Sequence, residues 1–229
     1  MDWVTVQYNG KKKHTNNTLH SNIDIKNAGL FLISKDKDGR AIVVLLNNNG
    51  KRKWLVHNMG ITLTTILEDF GGRIEPSETP NSTIVRVVKE LSLGIINLSD
   101  DLVDSLIVYQ KSKMISGILY MDYDNVLKLR DLYRKRVSET DKTNIPKYCL
   151  DMNDLYFIYL DTISETLKRV EIYSGQKYSE KYSLASDVDG NPVWLSYRSH
   201  GFLVDSTFLG MISDTLRDDP QYTLNHNSD

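Results

Sequence analysis

Two apolar runs near the start of the chain set its architecture: Ala28-Gly29-Leu30-Phe31-Leu32-Ile33-Ser34 and Ala41-Ile42-Val43-Val44-Leu45-Leu46, separated by the polar turn Asp36-Lys37-Asp38-Gly39. Neither run alternates. A strand that is apolar at consecutive positions is one buried on both faces, so the pair predicts a hairpin inside a layered α/β domain. A second turn, Asn47 to Gly50, leads into Trp54-Leu55-Val56. Leu102 to Tyr109, Ile115 to Met121, Leu155 to Leu160 and the segment around Val170 to Tyr173 are apolar enough to be further strands. Ile84, Val87, Val88 and Leu91 fall at i, i+3, i+4 and i+7, the stripe of a helix seeking a core. Thr79 or Ser82 is available to cap its start and Gly94 to close its end.

Residues 124 to 139 predict another helix with Leu129, Leu132 and Tyr133 on one side, and 140 to 150, with Pro146, read as loop. Together they make an insertion of about 25 residues where a hairpin needs only about 2 to 5. Pro192 to Ser196 and Phe208 to Leu216 predict a last strand and helix, with a turn at Asp187-Val188-Asp189-Gly190-Asn191 before them. Residues 9 to 22, including Lys11, Lys12 and Lys13, are polar. The expected layout is a polar N-terminal arm over 1–24, one domain over 25–217 with an insertion at 124–150, and a polar, frayed tail over 218–229.

Chemistry concentrates between the glycine pair and the first helix. Gly72, Glu78, Arg86 and Glu90 stand at the spacing of the Nudix box, the pyrophosphate-cleaving motif of Nudix hydrolases, which the segment 72–94 resembles in degenerate form. Three positions depart from that pattern. Val87 replaces the first helix glutamate, Leu91 replaces the last, and Gly94 arrives one residue late. Successive helix residues turn by about 100°, so 87, 90 and 91 share one face, and only Glu90 keeps a carboxylate there. The resemblance implies an α/β/α sandwich with a mixed sheet, extending over about residues 25–217, and a metal-dependent attack of water on a phosphoanhydride.

By the same resemblance Glu90 is the catalytic residue of an active enzyme. Glu90 and Glu78 are its Mg2+ or Mn2+ ligands, and Glu78 with Arg86 forms a structural salt bridge holding the loop to the helix. Gly71, Gly72 and Arg73 are expected to line the substrate site. Arg134 and Lys135, in a basic stretch with Arg130 and Arg136, are expected to meet a nucleotide or RNA, with Tyr133 free to stack on a base. Glu68, Asp69, Asp187 and Asp189 are the carboxylates that would replace missing ligands. His57, His200, Trp54, Tyr109 and Phe70 are secondary candidates at the pocket edge, and Cys149 has no nucleophilic role.

The favoured expectation is a Nudix-fold protein that recognises a nucleotide, a diphosphate-containing ligand or an RNA end such as a cap, with hydrolysis impaired or absent. The alternatives are an active magnesium-dependent hydrolase of nucleoside diphosphate-linked substrates and a scaffold for protein contacts through the insertion. Restoring both acids, Val87→Glu with Leu91→Glu, is expected to create magnesium binding if the frame is intact. Composition narrows this little. A net charge of -2 excludes a chain that is basic throughout, and 40% hydrophobic content in 229 residues allows a sizeable core. A single cysteine excludes an internal disulfide, and no stretch approaches the roughly 18 to 20 apolar residues of a membrane span. A cytoplasmic or otherwise intracellular setting is expected. Abundant Asn, Lys, Ile, Asp and Tyr matches AT-rich genomes such as those of some large viruses.

Overall fold

A computed structural model describes residues 3–8, 24–48, 54–55, 62–63, 65–139, 152–173, 177–217 and 222–227. The central hairpin is β2 (Asn27–Lys35) and β3 (Ala41–Asn48), joined by a turn in which Asp36 Oδ1 accepts from the amides of Asp38 and Arg40. Gly39, at φ 81, supplies the left-handed step of that turn. The two strands pair antiparallel over Leu32–Lys35 and Ala41–Val44, then part. Into the fork come β6 (Ile66–Glu68), which pairs with β3, and β7 (Phe70–Arg73), which pairs with β2. Parallel β10 (Met114–Tyr120) and antiparallel β9 (Ile107–Lys111) extend the β2 side, and β11 (Met152–Tyr159) lies on the outer side of β3. Beyond β6 the sheet continues through β14 (Pro192–Leu195), β13 (Lys177–Ser186) and β12 (Leu167–Tyr173).

The continuous apolar runs are explained by helices on both faces. Leu30, Leu32, Ile42, Val44 and Leu46 point to one core, built with α1 (Pro80–Leu91), α2 (Asp100–Ser105) and α3 (Tyr123–Glu139). Phe31, Ile33, Val43 and Leu45 point to the other, built with α4 (Tyr197–Leu203) and α5 (Ser206–Arg217). The pleat alternates the side chains and each face finds its own helical layer. The result is a mixed sheet in an α/β/α sandwich, as the resemblance implies.

Several expected elements differ. Leu102 to Ser105 is helix, because Ser99 accepts from the Leu102 amide and Asp100 and Asp101 favour a helix N-terminus; the strand begins only at Ile107. The terminal segments are not wholly arm and frayed tail. Trp3–Tyr8 (β1) pairs with Tyr222–Asn227 (β15) and with Ile96–Leu98 (β8), a separate three-stranded sheet whose partners are far apart in sequence. Trp54–Leu55 (β4) pairs with Thr62–Leu63 (β5). The insertion's helix spans 123–139, while the expected loop at 140–150, Lys11 to Lys13, His57 and Cys149 lie outside the described residues. No described helix is long and apolar enough to cross a membrane.

Candidate functional site

The loop before α1 is built around one ion pair. Arg86 Nε donates to Glu78 Oε1 at 2.5 Å and its Nη2 donates to Glu78 Oε2 at 2.8 Å. Glu78 also accepts from the Glu75 amide and Thr83 Oγ1, and Arg86 Nη2 reaches the Arg73 carbonyl at 2.9 Å. One guanidinium therefore ties loop, helix and β7 together. That bidentate contact holds the Glu78 carboxyl down at about 2, well below its ordinary value. Thr79 caps the helix, its side chain accepting from the Ser82 amide while Ser82 accepts from the Thr79 amide, a capping box with serine in the usual glutamate place. At the other end the Leu93 amide bonds Glu90 O and the Gly94 amide bonds Lys89 O, the paired bonds of a Schellman ending. The left-handed residue that glycine favours is here Leu93, at φ 55, with Gly94 following at φ 77. This is why the glycine comes one residue late.

The consecutive glycines of β7 face opposite sides of the sheet. A methyl at Gly72 would come within 2.7 Å of Val87 Cγ1, while one at Gly71 would come within 2.5 Å of Arg198 Nη2. Gly72 is thus what allows α1 to close on the sheet. Val87 is 2% exposed and Leu91 4%, both in the α1 core, and Tyr133 of α3 is fully buried with its hydroxyl donating to Leu91 O at 3.2 Å. Glu90 accepts from Arg86 Nη1 at 3.0 Å. Among the described residues no group of three or more His, Cys, Asp or Glu is arranged to hold a metal ion.

The sequence candidates therefore divide. Gly72, Arg73, Glu78, Arg86 and Glu90 come together around α1, and Gly71 turns away toward α4. Arg134 is on α3, where it makes a bidentate pair with Asp154, and Lys135 beside it is exposed. Tyr133, offered as a stacking surface, is core instead, because its ring lies on the buried stripe with Val126 and Leu129. Of the replacement carboxylates, Asp187 is consumed by its own turn, accepting from the amides of Asp189 and Asn191 and from Asn191 Nδ2. Glu68 accepts from Asn48 Nδ2. Asp69 is 3% exposed and lies on the α4 side, where Arg198 Nε and Nη2 and Ser199 Oγ all meet its Oδ1. It cannot join Glu90 across the sheet. Phe70 is core.

Of the α4 side, the sequence offered Asp69, Tyr109 and His200 but not their partners Arg198, Lys111 and Asp205. There Lys111 Nζ donates to Gly201 O and Asp205 Oδ2, Tyr109 OH donates to Asp205 Oδ1, and Tyr109 packs against Phe202 and Phe208. His200 is buried, and burial first, then the charge of Lys111, lowers its pKa, which favours the neutral imidazole. One signal was present: Ser196-Tyr-Arg-Ser199 repeats the cap spacing of Thr79 and Ser82, and Ser196 does cap α4 by accepting from the Ser199 amide.

No protein-family profile and no curated protein matches the chain. Among solved structures it is similar to a MutT/nudix family protein from Enterococcus faecalis, at 12% identity and a TM-score of 0.39. The alignment covers 85% of this chain and 64% of that one, so the chain spans less than two thirds of that protein's length.

Proposed function

We propose that the chain is a binding protein on a Nudix-like fold, which recognises a nucleotide or another diphosphate-bearing molecule and does not cleave it by the metal-dependent route its motif implies. The observation that carries this reading is the burial of Val87 and Leu91 in the α1 core beneath Tyr133. Magnesium needs a near-octahedral shell of oxygens, with carboxylates to balance its charge. At the two positions where the motif would supply them stand side chains with no donor atom. The remaining carboxylates, Glu78 and Glu90, are both engaged by Arg86. This donor set does not fit a divalent cation. What persists of the motif is its scaffold: the capped helix, the Glu78–Arg86–Arg73 linkage and the glycine that lets α1 approach.

The test is a panel of nucleoside diphosphate sugars, dinucleotide polyphosphates, nicotinamide dinucleotide and capped RNA, each with magnesium or manganese. The expected result is saturable thermal stabilisation by at least one member with no phosphoanhydride cleavage. Turnover that disappears in Glu90→Gln would overturn the proposal in favour of a hydrolase with ligands recruited from outside the motif. Stabilisation by no member would leave the fold as a scaffold for other contacts.

A further inference from the structure

Helix α3 is seated on β11 by two arginines one turn apart. Arg134 Nε and Nη2 donate to Oδ1 and Oδ2 of Asp154 at 2.9 and 2.8 Å. The guanidinium of Arg130 lies over the ring of Phe157, its central carbon 4.5 Å from the ring centroid. Residues four apart share a helix face, and Asp154 and Phe157 both belong to β11, so the two guanidinium groups are neighbours along one seam. The sequence explains why Arg130 comes down on a ring: it follows Val126 by one turn, beside Leu129 and Tyr133 of the buried stripe, and is itself half-buried.

The two cations are not equally answered. Arg134 meets a carboxylate fork to fork, which leaves its Nη1 uncommitted. Arg130 makes no hydrogen bond or ion pair among the described residues, and its Nε is enclosed with no acceptor. Enclosed donors are almost always paired, and a half-buried charge ordinarily has an opposite charge beside it. An arginine standing in water would need neither, but this one is pinned against a ring that is 1% exposed. Stacking fixes the plane of the guanidinium and leaves its terminal nitrogens as the donors a partner meets. An oxyanion accepts from such a planar edge in two parallel bonds.

We infer that Arg130, with Nη1 of Arg134 beside it, takes one phosphate of the ligand at the seam between α3 and β11. This rests on the proposed binding function and gives it a metal-free basis: negative charge that the motif would hand to magnesium is met here by a guanidinium. One helix serves both ends of that exchange. Tyr133 donates to the carbonyl of Leu91, where the motif's last acid has been replaced, and Arg130, three residues earlier, keeps its donors for the phosphate. A free nucleotide and an RNA strand present the same phosphate oxygens, so the contact is defined by the phosphate and the probes separate the two sources.

The probes are ADP, inorganic pyrophosphate and a short oligouridylate, titrated calorimetrically in EDTA into the full chain, Arg130→Gln and Arg130→Lys. ADP and pyrophosphate are expected to bind without metal and to weaken about tenfold in Arg130→Gln, the loss of one charge-assisted contact. Arg130→Lys keeps the charge but not the planar edge, so its loss should be smaller, about threefold. Arg130 gives no hydrogen bond to a described residue, so both variants should fold as the wild type does, which the unliganded thermal midpoint checks. Hydrogen exchange should place the ADP footprint on 123–139 and 152–159. Oligouridylate bound more tightly than ADP, with the same loss in Arg130→Gln, would assign the phosphate to an RNA strand; the reverse order assigns it to a nucleotide. Affinity that ignores both substitutions, or binding that vanishes in EDTA, overturns this site while the binding function stands, and Arg130 is then only a cover over Phe157. If no probe binds the wild type, both fall.

Discussion

Replacing Val87 and Leu91 together by glutamate would restore the acids of the Nudix pattern, and the sequence alone makes this a gain of magnesium binding. Burial reverses the expectation. Each side chain removed is almost fully enclosed, and burying a valine or leucine is worth about 1.5 to 3 kcal/mol, much of which glutamate forfeits. A carboxylate in that apolar setting has its pKa pushed upward, by about 3 units for a group this enclosed, at about 1.4 kcal/mol per unit at pH 7. Two such sites one helical turn apart bring the loss to about 8 to 12 kcal/mol, which spans the whole stability of an ordinary domain. The double variant is thus expected to be unfolded or molten at pH 7, by guanidinium titration followed through the fluorescence of buried Trp194 and by near-UV circular dichroism. The pH dependence should carry the opposite sign to an ordinary acid transition: carboxyls with raised folded-state pKa values favour folding when protonated, so the variant should gain structure toward pH 4.5. A double variant that keeps the wild-type midpoint at pH 7 and is further stabilised by magnesium, saturably, would refute the reasoning and show that the α1–α3 seam opens.

Three other outcomes follow from the same geometry. Glu78, held near 2 by Arg86, contributes stability that is fully present above its unfolded value near 4.5 and is lost as pH falls toward 2; Glu78→Gln should cost about 2 kcal/mol at pH 7, allowing for solvent screening, and flatten the thermal midpoint across that window. His200 is depressed by burial and by Lys111, so its contribution is complete above an unfolded pKa of about 6.5 and declines below it. Denaturant midpoints measured from pH 7.5 to 5.5 should fall more steeply in the wild type than in His200→Gln. Arg198→Met strands the buried Asp69 carboxylate and should cost about 3 to 5 kcal/mol, whereas adding Asp69→Asn should restore part of the loss, a coupling that a double-mutant cycle of denaturation free energies measures directly.

The strands of the central hairpin were legible because two helical layers demand apolar residues at every position, yet that same continuity erases the period that would say which residue faces which layer. Local signals did well where the cause was local: the caps at Thr79 and the turn at Asp36 involve residues a few positions apart. They failed where the partner was remote. Asp69 meets Arg198 across 129 positions, and β15 is a strand because β1 lies beside it. In the α2 segment a cap signal, Ser99 before Asp100 and Asp101, was outweighed by a short apolar run that periodicity cannot assign.

The motif itself shows the limit most clearly. Gly71 and Gly72 are neighbours of identical chemistry, and the resemblance assigns both to one substrate site. In a strand, neighbours point to opposite faces, so the pair is divided by the sheet that contains it. Gly72 gives room to Val87 and seals the α1 side, while Gly71 gives room to the Arg198 and Asp69 pair under α4. Arg73, two positions from Gly71, returns to the α4 side, while its carbonyl stays tied to Arg86. The strand that reads as half of a hydrolytic motif is thereby shared between a closed apolar seam under α1 and a layer of ion pairs under α4, Asp69 with Arg198 and Lys111 with Asp205.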